Sequence, residues 1–146
     1  MPAELICVDA GIVVRRVVFP DEAVVQQLWE EWERSQTHLI APHLLFYEVT
    51  NVLYRYQAQE WLSPITVQAA LAAALALPVE LFSEPMIHFK ARELAERYRL
   101  SAAYDTHYLA LAERQGAMFF TTDRRLVNGL GNQTPSWIHL VDVGNT

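Results

Sequence analysis

The chain has 146 residues, 52% hydrophobic and 11% aromatic, enough apolar material for one self-supporting domain and too much for a disordered chain. A formal charge of -6 and a single cysteine exclude a disulfide-stapled fold and weigh against a broadly basic, nucleic-acid-coating surface. The densest alanine-rich apolar stretch, Ala69 to Leu77, is nine residues long against the roughly 20 of a bilayer-spanning helix, and Glu4 interrupts any secretory leader, so the expected location is cytoplasmic.

The apolar run Leu5-Ile6-Cys7-Val8 predicts a buried strand over 4–8 that closes on Asp9 and empties into a tight turn at Ala10-Gly11. Cys7 inside it reads as a small buried apolar residue. Pro20-Asp21 then opens a helix over 21–34, with Val24, Val25, Leu28, Trp29 and Trp32 on one face and Glu30, Glu31, Glu33 and Arg34 on the other. After a strand over 38–41, Pro42 sets a helix start, and Leu45, Val49, Val52, Leu53 and Tyr56 recur at three- and four-residue spacing over 43–60. Glu48 falls about two turns into it.

Ser63-Pro64 supplies a cap and a first-turn proline for a helix over 64–76, whose alanine run is a close-packing face. A short strand over 79–82 leads to Ser83-Glu84-Pro85 and a helix over 86–99. The helix over 104–115, carried by Tyr104, Tyr108, Leu109, Leu111 and Ala112 and ended by Gly116, has Asp105 in its first turn, where a carboxylate complements the positive helix end. A strand over 117–121 precedes Asp123, a short helix over 124–130, a loop around Gly131-Asn132-Gln133-Thr134-Pro135 and a last strand over 137–143. Strands alternating with helices imply a central parallel sheet in a three-layer α/β/α sandwich, with residues 1–146 forming one domain without linker or repeat.

Asp9 and Asp123 both follow strands, at the edge where open α/β sheets bind ligands, and Glu48 and Asp105 can approach them from helices. Hydrolysis of a phosphodiester needs an activated water and positive charge at the phosphoryl and leaving oxygens, which two divalent ions about 4 Å apart can supply. Hard ions such as Mg²⁺ prefer oxygen ligands, so carboxylates from separate elements suit them better than histidines or thiols. Each acid also has a structural alternative: a helix-end charge for Asp105, a turn or cap for Asp123, a solvated helix position for Glu48 and, less readily, a strand-end residue for Asp9. Asp142 is read as structural.

The five histidines, His38, His43, His88, His107 and His139, show no zinc spacing, and His107, two residues from Asp105, falls on another helix face. No nucleophile-elbow serine or glycine-rich phosphate loop is present. Arg15, Arg16, Arg55, Arg124 and Arg125 follow the candidate acids in sequence and offset the acidic balance locally.

Four segments together resemble the PIN-domain ribonucleases, and within them the VapC-type toxins of type II toxin–antitoxin pairs: Val8-Asp9-Ala10, the stretch from Glu48 to Leu53, the stretch from Tyr104 to Ala112, and the stretch from Thr121 to Leu126. They occur in the family's order and cover nearly the whole chain. The resemblance implies that Asp9, Glu48 and Asp105 bind Mg²⁺ or Mn²⁺, directly or through water, with Asp123 completing the site. It also implies that Thr121 orients a carboxylate or a water, and that Asn51, one turn beyond Glu48, holds the glutamate rotamer. Gly11 departs from the serine or asparagine frequent in the family and removes a polar group near Asp9.

The implied activity is divalent-metal-dependent single-strand endoribonuclease, with a small antitoxin and a homodimeric partner; Trp29, Trp32 and Trp61 fit either an interface or the core. The alternative is a weakly active or inactive PIN-like binding module whose acidic pocket holds a basic partner segment, motivated by the -6 charge and Gly11. An aspartyl phosphatase is disfavoured because it wants an acid where Gly11 stands.

Overall fold

The computed structural model describes residues 4–143. Five strands form the sheet: β1 (Leu5–Val8), β2 (His38–Pro42), β3 (Val79–Phe82), β4 (Met118–Thr121) and β5 (Ile138–Leu140). They lie in the order β3-β2-β1-β4-β5 and every pairing is parallel. Seven helices surround them: α1 (Ala10–Val18), α2 (Ala23–Arg34), α3 (Leu44–Ala58), α4 (Pro64–Leu75), α5 (Pro85–Arg97), α6 (Thr106–Gln115) and α7 (Arg124–Leu130). Among the described residues no helix is long and apolar enough to cross a membrane.

The layers can be read from neighbouring side chains on β4. Phe119 stacks on Tyr108 of α6 with ring centroids 5.9 Å apart, while Phe120 stacks on Trp32 of α2 at 5.4 Å. Successive strand residues point to opposite faces, so α6 and α2 cover opposite sides of the sheet. Helix α5 packs along α6, which crosses β1, β2 and β4; α1, α3 and α4 pack on one another, with α1 reaching β4 and α3 reaching β2. The outcome is the three-layer sandwich with a fully parallel centre.

One element corrects the sequence reading. The turn expected after Asp9 is instead α1, which starts immediately at Ala10. Asp9 caps it by accepting the Ile12 amide at 3.0 Å, and Ile12, Val13 and Val14 are buried. The β-branched run has poor intrinsic helix propensity, so burial and the cap decide its conformation. The last strand is shorter than expected, Ile138–Leu140, and α6 begins at Thr106, leaving Asp105 at the N-cap position rather than in the first turn. Trp29 and Trp32 are core residues in edge-to-face contact at 5.0 Å, whereas Trp61 is exposed and stacks on Tyr56 at 5.4 Å.

Candidate active site

Strand order reverses direction between β1 and β4: the chain runs outward through β2 and β3, then returns to the other side of β1. The carboxyl ends of these two strands flank the crevice where such sheets bind ligands. Asp9 leaves β1 there and Asp123 leaves β4 two residues beyond Thr121. The Thr121 hydroxyl donates to Asp9 Oδ2 and accepts the Asp123 amide at 2.9 Å, so one buried side chain ties both strand ends together. Asp123 caps α7 through the Leu126 amide at 3.1 Å. The structural roles available to Asp9 and Asp123 are thus occupied, and each leaves carboxylate oxygen capacity beyond its cap bond.

Glu48 and Asp105 enter from opposite layers, on α3 and at the start of α6. The Tyr108 hydroxyl donates to Glu48 Oε1 at 2.5 Å, and its ring is fixed against Phe119 in the core. Asn51 is exposed and makes no hydrogen bond to Glu48, so the partner that orients the glutamate is Tyr108. Asp105 is half-buried and its carboxylate caps nothing; among the described residues it has no hydrogen-bond or ion-pair partner.

The electrostatics bind these groups into one site. Burial pushes Asp9 from 3.8 up to about 7; the Thr121 and Ile12 hydrogen bonds oppose the rise, and the Asp123 and Asp105 charges add to it. Burial also raises Glu48, opposed by the Tyr108 hydrogen bond and reinforced by Asp105 and Asp123, and it raises Asp105 with help from Asp123. Burial raises Tyr108 too, followed by the charge of Glu48, so its hydroxyl remains a donor. Carboxylates from four elements feel one another, and no lysine or arginine is ion-paired to any of them among the described residues.

A set of carboxylate oxygens among which burial raises Asp9, Glu48 and Asp105, with no paired cation among the described residues, has the chemistry of a site for hard divalent ions. No three such side chains among the described residues converge closely enough to share one ion as they stand. Binding would therefore draw in the half-exposed carboxylates of Glu48 and Asp105 or proceed partly through water.

Two features escaped the sequence. A Cβ on Gly11 would stand 2.2 Å from Thr122 Oγ1 and 3.5 Å from Asp9 Oδ1, so the space left by the glycine is filled by the Thr122 hydroxyl. Polar character beside Asp9 is supplied by the residue that follows β4 rather than from α1, and nothing in the spacing of Gly11 and Thr122 announces it. Second, His88 Nδ1 and His107 Nε2 lie 2.9 Å apart across α5 and α6. With His43, Tyr47 and Tyr104 they line a cavity of about 320 Å³, two of whose walls are the chain neighbours of Glu48 and Asp105. The Nδ1 of His107 donates to the Ala103 carbonyl at 2.6 Å, and no hydrogen bond joins its ring to the four carboxylates.

Solved structures share this architecture. PAE2754 from Pyrobaculum aerophilum superposes with a TM-score of 0.64 at 22% identity, over 88% of this chain and 87% of that one. VapBC2 from Rickettsia felis, bound to a DNA fragment from its promoter, gives 0.62 at 13% identity, over 85% and 92%. VapC20 from Mycobacterium tuberculosis, a sarcin–ricin loop cleaving toxin, gives 0.59 at 17% identity, over 84% and 94%. A sequence search among curated proteins finds no significant match. The family model of the PIN domain matches residues 6–128, a stretch that carries all four acids and both strands of the switch point, and the chain therefore belongs to the PIN domain family.

Proposed function

We propose that the protein is a divalent-metal-dependent single-strand endoribonuclease, the cytoplasmic toxin of a toxin–antitoxin pair, working as a homodimer. The observation that carries this is Asp105: a half-buried carboxylate that among the described residues has no cap bond, hydrogen bond or counter-ion, and that feels the charge of Asp123. A half-buried carboxylate that no side chain neutralises is a natural ligand for a cation. PIN-domain membership and the likeness in fold to a toxin–antitoxin complex from Klebsiella pneumoniae and to the sarcin–ricin loop cleaving toxin of Mycobacterium tuberculosis support the reading.

Asp9, Glu48, Asp105 and Asp123 would hold Mg²⁺ or Mn²⁺, which would supply positive charge to the phosphoryl and leaving oxygens. Thr121 fixes the direction of Asp9, and Tyr108 fixes that of Glu48 while remaining protonated. Asp9, whose burial pushes its carboxyl up to about 7, would give up its proton on becoming a ligand. Purified protein freed of any antitoxin is expected to cleave single-stranded RNA with Mg²⁺ or Mn²⁺, and Asp9→Asn and Asp105→Asn to abolish cleavage. Cleavage at the wild-type rate by the two variants would dismiss the assignment.

The competing reading is a weakly active module that grips a basic segment in the acidic pocket, and the open placing of the carboxylates favours it. Calorimetry separates the two. A module would take up an arginine-bearing peptide without binding Mn²⁺.

A further inference from the structure

A cavity of about 290 Å³ opens beside the acids, lined by Ser101, Asp105, Asp123 and Arg125 among others. Most basic side chains of this acidic protein are already neutralised: among the described residues only Arg16, Arg55, Arg99 and Arg125 stand outside ion pairs. Arg16 lines a different cavity with Trp29 and Thr37, at the amino edge of the sheet. Arg125 alone of the four is seen to share a cavity with two of the site's carboxylates. Its chain neighbour Arg124 is engaged, held by Asp142 at 2.5 Å.

We propose that Arg125 grips a backbone phosphate of the RNA next to the one being cut. The inference rests on the nuclease reading above and adds to it the residue that positions the strand. A guanidinium that shares a cavity with two carboxylates and is paired with neither keeps its fork of N–H donors for a ligand. Once cations occupy the carboxylates, the anion that fits a planar fork is a phosphodiester, gripped through two oxygens. Such a contact carries no base information, so it strengthens binding to single-stranded RNA of any sequence.

The test follows cleavage of a fluorophore-labelled single-stranded RNA with Mn²⁺ over a series of salt concentrations. For Arg125→Gln, KM is expected to rise about tenfold, with a smaller change in kcat, because a charge-assisted contact is lost. The slope of log(kcat/KM) against log salt should shrink by roughly 0.7, one phosphate contact on a single strand. Arg125→Lys should recover the slope but not all of the KM. Arg124→Gln should leave both quantities at the wild-type value. Arg125 is exposed and among the described residues has no hydrogen-bond or ion-pair partner, so an unchanged melting temperature confirms that the variants fold. A wild-type KM and slope in Arg125→Gln, or an equal loss in Arg124→Gln, would overturn the assignment while leaving the nuclease intact. Wild-type protein that cleaves no RNA would remove both.

Discussion

Asp9→Asn separates the charge of the most buried acid from its shape. The folded-state pKa of Asp9 is about 7 against 3.8 for a free carboxyl, so between these values the native state binds a proton that the unfolded chain has released. The raised pKa makes the contribution of Asp9 to stability fully present below pH 3.8 and progressively lost as pH rises through 7. At about 1.4 kcal/mol per unit, the full shift is worth about 4 kcal/mol, and the part falling between pH 5 and pH 8 about 3 kcal/mol. Asparagine keeps the carbonyl that accepts the Ile12 amide, and the Thr121 hydroxyl can rotate to accept from the new amide. Urea unfolding of metal-free wild type and variant across this range should show the variant's advantage growing by about 3 kcal/mol from pH 5 to pH 8. Taking the difference cancels the histidines and other carboxylates common to both. Parallel stability curves for the two proteins would refute the strongly shifted, solvent-excluded Asp9 from which the site is built.

Tyr108→Phe keeps the ring stacked on Phe119 and deletes only the hydroxyl that holds Glu48. Mn²⁺ affinity, measured by calorimetry, should fall about tenfold or more while the melting temperature changes little. Gly11→Ala drives a methyl to 2.2 Å from Thr122 Oγ1 and should destabilise the protein by about 1–3 kcal/mol in denaturant unfolding. Gly11→Ala combined with Thr122→Ala should restore that loss, because the obstructing hydroxyl is gone and alanine suits the helix better.

The fold was legible where periodicity and punctuation agreed. Pro20-Asp21, Ser63-Pro64 and Ser83-Glu84-Pro85 mark helix starts to within a few residues, and the alternation of elements implies the parallel sheet. Helix α1 was hidden because Ile12, Val13 and Val14 carry a strand-like local preference and the cap that overrides it belongs to Asp9, a residue also suited to chemistry. The acids stood out through their places after strands and on helices. What orients them did not, because Tyr108 lies on the apolar face of α6 and reads as core until its hydroxyl is seen on Glu48, sixty residues away in the chain. Asn51 looked the better partner only because sequence shows helix neighbours more readily than contacts between layers.

The bond from Thr121 to Asp9 has a wider meaning for how the site is built. In the β1 and β4 ladders Cys7 lies opposite Phe119 and Val8 opposite Phe120, and the next step along each chain brings Asp9 to Thr121. The sheet register is therefore the ruler that spaces the two strand-end acids, and a slip of one residue would turn Thr121 to the opposite face and release Asp9 from it. Substitutions in the ladder, such as at Cys7 or Phe119, would reach the chemistry by changing that ruler without touching any carboxylate.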